Sequence, residues 1–349
     1  MLARYRIWNF AAAFLALALF VHAAPVIGPQ DTVKIADSFI IPRFKQLQSA
    51  AKQQASTWAT FCAKPKAGDN KLRAAFNRVA DAWAGIEFVR FGPATVDLRA
   101  DRFNYWLDRR NTADDALTAM LAAPNDPTAA DIAAASAAAQ GLPMLERLLY
   151  PDDAFAKLAT EHRRCAVGAA VAQNLAGIAD AILADWTGAS GARAAIAANG
   201  GWGVSFFDGT EATSILLTDI LVGVEGLKDN KLGQVFHDVS NPDAPRWSEA
   251  FRSGRTLRDI ELNLIAQRTA LDFFMAHADA KQKADLAAVF DVAEAKLKAL
   301  QAADGASNDV KLAAVQDALG AFIALSSAAR TILPAASGVA LGFNGLDGD

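Results

Sequence analysis

Nowhere does this chain alternate apolar and polar residues between tight turns, the pattern that a half-buried strand requires. Its apolar residues recur every three to four positions instead, which is how a helix buries one stripe. From Asp31 to Thr60 the stripe is Ile35, Phe39, Phe44, Leu47, Ala51 and Trp58, running on to Phe61, with a kink predicted at Pro42. A turn over Lys64 to Asp69 leads into a second helix, Asn70 to Arg90. Further helices are predicted over Asn111–Ala122, Ala129–Ala139, Ala154–Trp186, Thr210–Leu227, Thr256–His277, Lys281–Gln301 and Asp309–Leu333. The abundance of Ala and Leu favours the same choice on intrinsic propensity. The fold class is all-α.

The first residues bear on the compartment. Arg4 and Arg6 precede an apolar run from Phe10 to Val21, and small residues follow at Ala23 and Ala24. That order describes a secretory signal peptide, residues 1–23, and an exported, periplasmic protein. The run is short for a bilayer span, and no transmembrane segment is expected after cleavage. Losing Arg4 and Arg6 takes the formal charge from −4 to −6, which argues against nucleic acid as a partner. About 325 residues remain, more than one domain usually holds. Glycine runs at Gly188–Gly191 and Gly200–Gly203 place the division there, giving helical-bundle domains over 24–187 and 188–349. Each half carries several long helices, which invites a duplicated bundle, although no sequence repeat is visible.

Cys62 and Cys165 are the only cysteines. Outside the cytosol an even pair is expected to be bridged, and two cysteines so far apart make no zinc motif. Closing a loop of roughly a hundred residues is worth about 4–5 kcal/mol in the chain-entropy model.

Candidate site residues come from two stretches. In Gly141-Leu142-Pro143-Met144-Leu145-Glu146-Arg147-Leu148-Leu149-Tyr150, Pro143 either starts a helix or kinks one, and Glu146 follows about one turn later. Leu142, Leu145, Leu148 and Leu149 form a buried stripe, and Glu146 stands beside it, as a packed polar residue or as a carboxylate held in a cleft. Trp83, Glu87 and Arg90 share one face of the predicted second helix. They read equally as a Glu87–Arg90 ion pair under an indole or as a cleft wall. His162, His237 and His277 belong to no zinc-hydrolase motif, and no nucleophile elbow, phosphate loop or dinucleotide fingerprint is present.

Taken in order, Trp83-x-x-x-Glu87-x-x-Arg90-Phe91-Gly92-Pro93, Trp106-Leu107-Asp108, Gly141-Leu142-Pro143-Met144-Leu145-Glu146, Phe251-Arg252-Ser253 and the final Gly342-Phe343-Asn344-Gly345-Leu346-Asp347-Gly348-Asp349 resemble the imelysin-like family. The resemblance implies an all-helical fold of two bundle-like domains, an exported protein and a site between the domains. It also implies links to ferrous-iron uptake and a classification with peptidases. The family motif is Gly-x-His-x-x-Glu. Here Gly141 and Glu146 match, while Pro143 takes the His position and removes a nitrogen ligand.

The reading that follows is a non-catalytic binding or accessory protein for iron or other metal acquisition, partnered by components of a metal-uptake system. Trp83, Glu87, Arg90, Asp108, Glu146 and Arg252 line its cleft, with Glu146 the candidate ligand for a divalent metal ion such as iron. A metallopeptidase of the imelysin type, or a helical protein that only docks partners, would be the alternatives.

Overall fold

Pro42 has no N–H for a helical ladder, and the first long helix widens just ahead of it. Residues Pro29–Ile35 form an α-helix that passes through a π-helical turn, Ala36–Ile40, into helix α1, Ile41–Ala63. The wider turn precedes the proline, and the backbone stays helical through it. This computed structural model describes residues 27–66 and 70–341. The signal-peptide segment and the Gly342–Asp349 run lie outside the described residues, as does Gly68 of the predicted turn.

The first half continues with α2 (Lys71–Ala84), α3 (Thr112–Ala122), α4 (Gly141–Leu149) and α5 (His162–Thr187). The second half holds α6 (Gly209–Gly226), α7 (Gly233–Ser240), α8 (Thr256–Phe274), α9 (Ala280–Ala302) and α10 (Asn308–Ser337). Shorter helical turns lie between them. Among the described residues the one pairing of extended backbone is an isolated bridge, Trp202 to Phe206. The fold is all-α.

Helix α1 packs lengthwise on α5 and also on α2, while α9 packs along α10. Gly168 on α5 sets the closeness of the first pair, since a Cβ there would lie 2.2 Å from the Trp58 ring. A disulfide joins Cys62 to Cys165, with Cα atoms 5.7 Å apart. The halves are stitched together at several points. Helix Pro29–Ile35 packs against α6, where the hydroxyls of Thr32 and Thr213 share a buried hydrogen bond of 2.7 Å. Helix α2 packs on α8, and the Ile27 amide donates to the Ser337 carbonyl at 2.9 Å. Buried apolar side chains from both halves form one continuous cluster.

Among the described residues, two helical stretches, His162–Ala197 and Asn308–Ser337, are long and apolar enough to cross a membrane by length and composition. Both pack lengthwise on neighbouring helices here.

Several predicted boundaries move. Helix α2 stops at Ala84, capped at Gly85, so Glu87 and Arg90 lie in irregular chain and share no helical face with Trp83. The long helix expected from Ala154 breaks at Glu161, which is extended, into Ala154–Thr160 and α5. The Ala-rich run divides into Ala129–Ala134 and a 3-10 turn, Ala137–Ala139. Helix α6 continues through a second π-helical turn, Leu227–Leu232, into α7.

Candidate functional site

Helix α4 starts where the chain has no alternative. Gly141 takes φ of +72°, and a Cβ on it would lie 2.2 Å from the Phe103 carbonyl oxygen. Pro143 sits in the first turn, where amides have no intrahelical acceptor, so its missing N–H costs no hydrogen bond. Gln140 fixes the approach: its side-chain oxygen accepts from Asn174 at 2.8 Å and Arg102 at 3.0 Å. The helix then buries Leu142, Leu145, Leu148 and Leu149, and turns Glu146 toward a cavity of about 260 Å³.

Residues from both halves line that cavity. Trp83, Glu87, Asp108, Pro143, Glu146 and Arg252 all do so, together with Trp106, Arg147, Trp247, Glu249 and Asp259. Of the residues singled out in the sequence, Arg90 alone is elsewhere. It pairs with Asp101 at 2.5 Å on the surface. The Glu87–Arg90 ion pair does not form either, because α2 has already ended.

Glu146 is 4% exposed. Its Oε1 accepts from the Ser253 hydroxyl at 2.6 Å and the Ser253 amide at 2.8 Å. Burial pushes its carboxyl above the usual range, against the pull of the Ser253 donors and the Arg252 and Arg147 guanidiniums. Arg147, one residue on, grips Asp114 with two hydrogen bonds, 2.9 and 3.1 Å, and the Pro143 carbonyl at 3.1 Å. Arg252 reaches the same Asp114 carboxylate at 3.2 Å.

Asp108 caps a helix. Its two oxygens accept from the amides of Thr112 and Ala113, both at 2.9 Å, at the start of α3. Burial pushes this carboxyl up, but those amides outweigh it and hold it below its ordinary value.

The far wall is a second charge cluster. Lys231, carried on the π-helical turn, bonds Glu87 and Glu249, the latter at 2.5 Å. Asn104 and Asn263 complete these two carboxylates at 2.6 and 2.5 Å. Burial would discharge Lys231, but Glu249 and Glu87 outweigh it and keep the ammonium protonated. Glu87 is pushed up by burial, with Lys231 opposing and Glu249 adding to the rise. Beside them Asp259 accepts from Arg255 at 2.7 Å, and burial raises it to about 7 against that pull.

A raised carboxyl destabilises the fold once it must ionise. The contribution of Asp259 is therefore favourable below about pH 4, its unfolded range, and is lost as pH rises through about 7. Urea melts of the protein and of Asp259→Asn between pH 4.5 and 8 are expected to diverge, the wild type losing more stability across that window. Parallel curves would contradict the assignment.

The connection between α7 and α8 supplies Trp247, Glu249, Arg252 and Ser253, and Asp238 holds it in place. Asp238 accepts from the Trp247 amide, the Ser248 amide and the Ser248 hydroxyl at 2.8, 3.0 and 2.6 Å. Trp106 crosses from the first half to donate to the Trp247 carbonyl at 3.1 Å. Among the described residues, no three His, Cys, Asp or Glu side chains converge as a metal-ligand group.

Comparison with known proteins agrees with this architecture. The imelysin family model matches residues 40–332. No curated protein matches the chain. An imelysin-like protein from Psychrobacter arcticum 273-4 shares the fold at a TM-score of 0.74 and 20% identity, over 92% of this chain and 100% of its own. A protein from Parabacteroides distasonis ATCC 8503, named as an iron-regulated protein A precursor, aligns at 0.71 and 13% identity, over 89% of this chain and 96% of its own. With the family model spanning most of its length, this chain belongs to the imelysin family.

Proposed function

We propose that this chain is an exported, non-catalytic binding protein that serves iron or other metal acquisition and holds its ligand in the cleft around Glu146. The observation that carries this reading is the state of Glu146: a family-motif carboxylate, buried, clamped by Ser253 and flanked by two guanidiniums. That donor set does not suit a resident metal ion, which asks for several converging ligands. Nor do the histidines assist. His162 contacts Asp126, His237 contacts Asp238 and stacks on Trp247, and His277 acts on Asp31. The signal-peptide pattern and the iron-regulated name of one structural relative support the compartment and the metal link.

Two measurements test it. Deleting the gene in the native host is expected to lower cellular iron under iron limitation, with rescue by the wild-type gene and not by Glu146→Ala. Purified mature protein is expected to leave unfolded protein substrates uncut, with or without added zinc. Unchanged cell iron would sink the acquisition role. Proteolysis abolished by Glu146→Ala would restore the metallopeptidase reading.

A further inference from the structure

The side chains of the cleft do not all satisfy one another. Trp83 is 4% exposed and lines the cavity, yet its indole N–H is buried with no acceptor in the protein. That N–H is closed off from the cavity, as are those of Trp58 and Trp186 elsewhere in the core, so the indole serves the cleft as an apolar wall. Stacking on Phe103, with ring centroids 4.5 Å apart, fixes the indole in this position.

Glu146 is an acidic group of the same cavity. Both Ser253 hydrogen bonds fall on the same oxygen, Oε1, and the carboxylate is desolvated. A buried anion of this kind is stabilised by a cation brought against it. The nearest guanidinium of its own helix, Arg147, is already committed to Asp114 and the Pro143 carbonyl.

Arg252 lines the same cavity and makes a 3.2 Å bond to Asp114, which it shares with Arg147. Burial and the neighbouring Arg147 charge both disfavour its positive form, so an additional anion would stabilise it. Arg252 and Glu146 are held near each other because Ser253, the next residue, is the one that clamps Glu146. The cleft therefore presents one group that calls for a cation and, within the same small space, one that calls for an anion.

We propose that the cleft binds a small zwitterion of the amino-acid kind, its ammonium on Glu146 and its carboxylate on Arg252. A cavity of about 260 Å³ has room for such a molecule. Phe76, Leu142 and Trp106 offer an apolar wall to its side chain. The proposal rests on the cleft being a ligand site, as argued above, and adds the chemical class of the ligand.

The test is calorimetry of the mature chain, from Ala24 onward, against the common amino acids. Each binder is followed by its N-acetyl form, which lacks the ammonium, and its amide, which lacks the carboxylate. At least one amino acid is expected to bind saturably, and both derivatives are expected to bind about ten-fold more weakly or worse, as loss of a hydrogen bond to a charged group implies. Glu146→Gln should weaken the amino acid by a similar factor and leave the N-acetyl form unchanged. Arg252→Gln removes the positive charge, and should weaken the amino acid while sparing the amide. Circular dichroism melts establish that both variants are folded.

No binding by any amino acid overturns the proposal, and so does a derivative that binds as tightly as its parent. These outcomes are separable from the metal role. A protein needed for iron uptake that ignores all amino acids refutes the zwitterion alone, whereas a zwitterion binder with no effect on cell iron refutes the acquisition reading alone.

Discussion

Converting Cys62 and Cys165 together to alanine is expected to lower the free energy of unfolding by about 4–5 kcal/mol. The disulfide closes a loop of 103 residues, from the end of α1 to the start of α5, so it removes a large share of the disorder open to the unfolded chain. The folded state should change little, because α1 and α5 also pack extensively on each other. Equilibrium denaturation without reductant measures the difference. Wild-type protein in dithiothreitol should fall to the level of the double variant. A loss below about 1 kcal/mol would mean that residual structure in the unfolded chain already does the work of the cross-link.

A comparably large loss is expected at Gly141. Alanine there must adopt φ of +72° and place its Cβ 2.2 Å from the Phe103 carbonyl oxygen and 2.6 Å from that of Arg102. The obstacle is backbone, which cannot swing aside as a side chain does, so α4 would have to move off the Arg99–Phe103 helix. Left-handed strain and displaced packing together suggest about 3–5 kcal/mol. Because α4 carries Glu146, Gly141→Ala should also loosen the Ser253 clamp. A melting temperature within a degree or two of wild type would show that the contact is not as tight as described.

What the sequence could and could not disclose follows from the range of the interactions involved. Helices α1, α8, α9 and α10 were legible because their burial stripes are local and long. The end of α2 was not. Gly85 is a weak stop signal, and the residues beyond it, Ile86, Phe88 and Val89, are buried apolar side chains that continue to look helical. The break at Glu161 carries no proline or glycine.

The same division holds in the cleft. The phase of Glu146 against its leucine stripe marked it as unusual, and Trp83, Glu87, Asp108 and Arg252 do reach the same cavity. Their partners were invisible. Ser253 meets Glu146 across 107 residues and Lys231 meets Glu87 across 144, separations for which spacing carries no information. Lys231 itself lay in a polar run, Leu227-Lys228-Asp229-Asn230-Lys231-Leu232, that reads as a connection and proved to be a π-helical turn, a feature often found at functional sites. Asp108 lines the cavity too, yet its oxygens serve the amides of α3, across the left-handed turn at Asn111.

The contact between the Ile27 amide and the Ser337 carbonyl carries a consequence for biogenesis. Ribosomes deliver a chain from its amino end, so the partner of Ile27 is made 310 residues after it (337 − 27). Until α10 has emerged, Ile27 lacks that carbonyl, and until α6 has emerged, Thr32 lacks the hydroxyl of Thr213. The segment from Ile27 to Thr32 must wait, with its apolar side uncovered, until those later helices are made. Nascent chains in that condition depend on chaperones that keep them from sticking to one another.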